Sequence, residues 1–118
     1  MKLKNINPDI MTATFQQLLL KYNGKAITQI ERYGTSRTVQ WGIVASDIRG
    51  GYGVTIDSNG EVKLHGDDYG SNVRLKQFEK ELEQTYTQLV IIKALQLQGY
   101  SVETTAIAEG LCIVGERL

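Results

Sequence analysis

From Ser71 onward, apolar side chains recur at helical spacing, with Leu75, Phe78, Leu82, Tyr86, Leu89, Val90 and Leu97 near one stripe and Lys76, Glu79, Lys80, Glu83 and Gln84 mostly opposite. The pattern stops at Gly99 and passes directly to Tyr100-Ser101-Val102, the start of a strand. A long helix with one apolar face needs a broad surface to cover, and a sheet face supplies it. This segment therefore commits the chain to helix packed on sheet, with further strands after it. The helix is expected to begin near Ser71 or Asn72.

Upstream, Asn7-Pro8-Asp9 is a helix start: Asn caps, Pro presets the first helical φ, and Asp meets the positive end of the helix dipole. Ile10, Phe15, Leu18, Leu19 and Tyr22 follow at helical spacing, and Asn23-Gly24 suits a left-handed C-terminal cap. Leu3 and Ile6 suggest a weak first strand. Between Lys25 and His65 the period changes to two. Val39, Trp41, Ile43 and Ala45 alternate against polar or small neighbours, with Ala26–Glu31 as the expected hairpin partner. Tyr52, Val54 and Ile56 form a third strand, Asp57-Ser58-Asn59-Gly60 reverses the chain, and Val62 and Leu64 continue a fourth. Strands near Tyr100–Thr105 and Leu111–Gly115 would close the domain. The order predicts a single α+β domain over 1–118, an antiparallel or mixed sheet with two helices packed on one face.

A chain of 118 residues suffices for one hydrophobic core and not for two. No apolar run approaches the roughly 20 residues of a spanning helix, and no signal-type leader opens the sequence, so no membrane association and a cytoplasmic compartment are expected. Thirteen basic residues balance thirteen acidic ones. That balance removes the broad positive field behind non-specific nucleic-acid binding, so no nucleic-acid partner is expected. Cys112 is the single cysteine, which excludes an internal disulfide; in Leu111-Cys112-Ile113-Val114 it reads as a small buried hydrophobe.

Taken together, Gly51-Tyr52-Gly53-Val54, the Asn59-Gly60 turn, and Phe78…Leu82…Gln84-Thr85-Tyr86…Gly99-Tyr100-Ser101-Val102 resemble a family of small uncharacterised proteins of cyanobacteria, algal plastids and other bacteria, the hypothetical chloroplast reading frame 35 family. The resemblance runs from the Ile6 region to Leu118 and is carried largely by structural residues. It implies no catalytic reaction; no cofactor is expected. Because family members are often encoded near an AAA-type ATPase, it implies an accessory role beside such a machine, in the cytoplasm or, for an algal protein, the plastid stroma. Two departures stand out. The family's tryptophan-rich stretch before the long helix is replaced here by His65-Gly66-Asp67-Asp68-Tyr69-Gly70, and the Arg usual before the helical tyrosine is replaced by Thr85.

Four local patterns bear on chemistry. His65, Asp67 and Asp68 are one imidazole and two carboxylates, ligand types that suit a divalent metal or a shared proton; a solvated turn after a strand-ending His accounts for the same residues. A metal would need a further ligand, with Asp47 or Glu103 as the nearest thought. Asp47–Gly53 resembles a phosphate loop only in its glycines, lacks the Lys and Ser/Thr of that motif, and leads into a strand, so a bulged connection is the simpler expectation. No nucleophile elbow or triad is present. Trp41, Tyr86 and Tyr100 are expected in the core, whereas Tyr33 and Tyr69, in turns, and Arg49 are candidates for a contact surface. Two functions follow: a non-catalytic adaptor that binds a protein partner, homo-oligomers included, or a metal- or small-ligand-binding domain centred on His65–Asp68, with or without an enzymatic activity.

Overall fold

The computed structural model describes residues 1, 3–32, 35–107 and 110–117, the strands beyond Gly99 by their backbone. Tyr33 lies outside the described residues, as do the side chains of Tyr100, Glu103 and Cys112. The chain forms α1 (Pro8–Tyr22), β1 (Lys25–Ala26), β2 (Gln29–Arg32), β3 (Thr35–Thr38), β4 (Trp41–Ala45), β5 (Ile48–Ile56), β6 (Val62–Gly66), α2 (Leu75–Leu97), β7 (Tyr100–Ile107) and β8 (Gly110–Arg117). This is the expected α+β class.

α1 starts as its sequence dictates. The Asn7 side chain accepts from the amides of Asp9 and Ile10 at 2.8 and 3.3 Å, Pro8 opens the first turn, and Asn23 closes the helix in the left-handed region at φ 51°. Leu3 and Ile6 form no strand; Lys4 alone bridges Glu61.

The central sheet is antiparallel in the order β1-β4-β5-β6. Its Tyr52 and Val54 face the helices and share one core with Met11, Phe15 and Leu18 of α1 and Phe78, Leu82 and Tyr86 of α2. Phe78 is central to it, with its ring 5.2 Å from Tyr52 and in edge contact with Phe15 at 6.3 Å. A Lys21–Glu81 ion pair at 3.1 Å also ties the two helices. The reversal at Asp57–Gly60 is built on Asp57, whose carboxylate accepts the amides of Asn59 and Glu61, both at 2.9 Å. The Glu61 amide is the main influence holding that carboxyl below the usual aspartate value. Only Gly60 of the Asn59-Gly60 pair takes positive φ.

The strand pairing departs from expectation first at β2. Only Lys25 and Ala26 join β4; Gln29–Arg32 turn instead to pair with Thr35–Thr38 as a separate ribbon. The glycines explain where this ribbon goes. Gly42, Gly53 and His65 stand opposite one another across β4, β5 and β6. By strand alternation they lie on the face away from Tyr52 and Val54. That row leaves a shallow track on which the ribbon and its flanks settle. A Cβ on Gly53 would come within 2.6 Å of Val39 Cγ1, and one on Gly51, at φ +87°, within 2.5 Å of Ile27 Cδ1. Ile30 and Val39 are buried here, outside the main core.

The terminal strands correct a second expectation. β7 and β8 pair with each other from Tyr100↔Arg117 to Ile107↔Gly110 and form their own two-stranded sheet, leaving the central one unextended. α2, about 34 Å long at 1.5 Å per residue, is buried only at Phe78, Leu82 and Tyr86, so its distal half leaves the core, and the molecule extends 53 Å along its longest axis.

Candidate functional site

Two parts of the described structure are built in a way that suits recognition. The first is the corner where the β4–β5 turn meets the loop from β6 to α2. Asp67 Oδ1 accepts the Tyr69 amide at 3.0 Å, and the Asp68 carbonyl accepts the Ser71 amide at 3.0 Å, curling the loop; Gly70 completes it at φ +75°. The loop is then laced to the turn. Ser71 Oγ accepts from the Arg49 amide at 2.8 Å, the Asp47 carbonyl accepts from the Val73 amide at 3.1 Å, and Asn72 Nδ2 donates to Asp47 Oδ1 at 2.9 Å.

α2 begins at Leu75, later than the Ser71 or Asn72 of the sequence reading, and these bonds explain why. Ser71 is committed to Arg49, and the cap comes from Asp68, whose Oδ2 accepts the Leu75 amide at 3.0 Å and lies 3.8 Å from Arg74 Nε. Arg74 at the N-cap position offers no side-chain capping bond of its own.

The residues suggested as ligands are thereby engaged structurally. His65 is 8% exposed on β6, its Nε2 2.7 Å from Thr55 Oγ1 on β5. Asp67 and Asp68 hold backbone amides, and Asp47 holds Asn72. Among the described residues, no group of three or more His, Cys, Asp or Glu side chains is placed to hold a metal ion. The glycines of Asp47–Gly53 form no anion cradle either. A Cβ on Gly50 would stand 3.2 Å from the Glu31 carbonyl oxygen, an acceptor that would repel an anion, and the ribbon covers Gly51.

Arg49 and Tyr69 are among the side chains this corner presents to solvent, together with Asn72 and Arg74. Tyr69 is 87% exposed, and the Arg49 stem runs past Gly70, its Cδ 3.6 Å from where a Cβ there would sit. The expected contact residues Arg49 and Tyr69 are therefore neighbours on a bonded framework. Tyr86 is buried as expected, its hydroxyl accepting the Asn7 amide at 2.7 Å.

The second part escaped the sequence reading. A groove of about 710 Å³ opens between α1 and the β1–β4 side of the sheet, walled by Phe15, Leu19, Ile27 and Trp41 and rimmed by Gln16 and Gln29. Trp41, expected in the core, is only half-buried, and its Nε1 donates to Thr12 Oγ1 at 3.0 Å. The signal was present at Thr12, Phe15, Gln16 and Leu19, which share one helical face that mixes polar with apolar residues and so cannot be wholly core.

No helix among the described residues is long and apolar enough to cross a membrane. In comparison with known proteins, no family model, curated protein or solved structure matches the chain.

Proposed function

We propose that this chain is a non-catalytic accessory domain that holds a protein partner through the corner bearing Arg49 and Tyr69. The observation that carries this reading is the pairing of an exposed tyrosine with an exposed arginine on a loop fixed at Asp67, Asp68 and Ser71. Tyrosine and arginine dominate binding energy at protein interfaces, and a preorganised loop loses little conformational freedom on association. The carboxylates of Asp67 and Asp68 are meanwhile engaged in turn and capping bonds. The resemblance to the reading frame 35 family nominates an AAA-type ATPase as the first partner to test, in the cytoplasm or plastid stroma.

The test is native mass spectrometry of the protein purified gently from its own cell extract, alongside Tyr69→Ala and Arg49→Ala. A reproducible partner captured by the parent chain and lost from both variants, at unchanged thermal midpoint, supports the corner as the contact. A partner retained by both variants, or a bound metal lost with Asp67→Asn, overturns it.

A further inference from the structure

The groove beside α1 is chemically unlike the rest of the surface. In a chain where 22% of residues are charged, none of the described side chains lining it ionises: phenyl, indole and aliphatic groups form the walls, and carboxamides and hydroxyls the rim. An ion entering it would lose water and find no opposite charge, whereas a neutral molecule would bury apolar surface and keep its hydrogen bonds. Trp41 adds shape. Its indole is held by Thr12, whose own hydroxyl donates to the Pro8 carbonyl at 3.0 Å, so the ring is a fixed flat wall and not a mobile plug. The exposed side chains of Gln16 and Gln29 each offer a donor and an acceptor at the mouth.

We infer that this groove binds an uncharged small molecule built on a flat apolar ring with an amide, carbonyl or hydroxyl group, the ring against Trp41 and the polar group at the carboxamide rim. A volume of about 710 Å³ is that of a site for such a ligand. The site shares no residue with the Arg49–Tyr69 corner, so the two proposals stand or fall separately.

Trp41 is the single tryptophan, so its indole N–H gives one nuclear magnetic resonance signal that reports on the groove alone. The full chain is titrated with three probes of one ring and different charge: 2-naphthamide, 2-naphthoate and 2-naphthylmethylammonium. The amide is expected to shift the Trp41 signal saturably and to bind at least about tenfold more tightly than either ion, a difference of about 1.4 kcal/mol. Gln16→Lys should turn the preference toward naphthoate, and Leu19→Tyr, which adds bulk at a half-buried wall position without a second indole, should abolish the amide response in a chain that still melts cooperatively. Absence of a saturable shift, or equal shifts with all three probes, overturns the proposal. A shift produced only by an extended neutral peptide such as acetyl-Thr-Val-Thr-Val-amide overturns it in favour of strand addition at β1.

Discussion

Val39 rests on the backbone of β5 at Gly53, so closely that a Cβ there would meet three of its side-chain carbons at 2.6 to 2.8 Å. The contact seats the β2–β3 ribbon on the sheet, and a side chain can be added only by lifting the ribbon. Gly53→Ala is expected to cost about 2 kcal/mol, within the usual range for overpacking. Urea denaturation measures it. Gly53→Ala combined with Val39→Ala, which removes two of the three colliding carbons, should lose less than the two single losses added together.

Asp68 caps α2 from seven positions upstream of Leu75. Asp68→Ala should cost about 1 kcal/mol, the usual value of a lost cap, and Asp68→Asn, which keeps an acceptor, should cost less. Circular dichroism during thermal unfolding distinguishes the two.

Tyr52 is fully buried, and its hydroxyl donates to the Val73 carbonyl. Burial above all pushes its pKa above the ordinary 10.0. A folded-state pKa above the unfolded one makes the contribution complete below 10.0 and progressively lost as pH rises through the folded value. Stability followed from about pH 8 to about pH 11 should fall on the alkaline side, and Tyr52→Phe should flatten that fall while lowering stability at neutral pH by about 1 kcal/mol.

The Tyr22 hydroxyl is buried and finds no hydrogen-bond partner among the described residues. Its ring packs 6.4 Å from Phe78 and would do so equally as phenylalanine. Tyr22→Phe should therefore leave stability unchanged or raise it by about 1 kcal/mol, since an unsatisfied buried hydroxyl is a cost in the parent. A lower denaturation midpoint would contradict this.

The sequence showed most clearly what depends on near neighbours. Asn7-Pro8-Asp9 announced α1, Asp57–Gly60 announced a reversal, and Gly99 announced the end of α2, each through groups a few residues apart. What it concealed depends on contacts distant in sequence. Ser71 looks like a helix cap and is one by type, yet it binds Arg49, twenty-two positions back, and leaves the cap to Asp68. Gly51 and Gly53 look like loop or bulge residues; their second role appears only when Ile27 and Val39 lie over them. Of the candidate residues, Arg49 and Tyr69 were readable as exposed because both adjoin turn glycines. The groove was not, because Trp41 alternates as a core residue and only the position of α1 leaves its edge uncovered.

α2 is one helix anchored at one end. Phe78, Leu82 and Tyr86 lie in the core, whereas no residue from Thr87 to Leu97 is buried and Leu97 is 79% exposed. Its amide hydrogens should consequently trade for deuterium in two regimes: those near Leu82 only when the whole domain opens, those beyond Val90 through local fraying that leaves the core intact. A ligand that clamps the distal turns would slow the second regime alone, which makes isotope exchange along this single helix a map of where anything grips the protein.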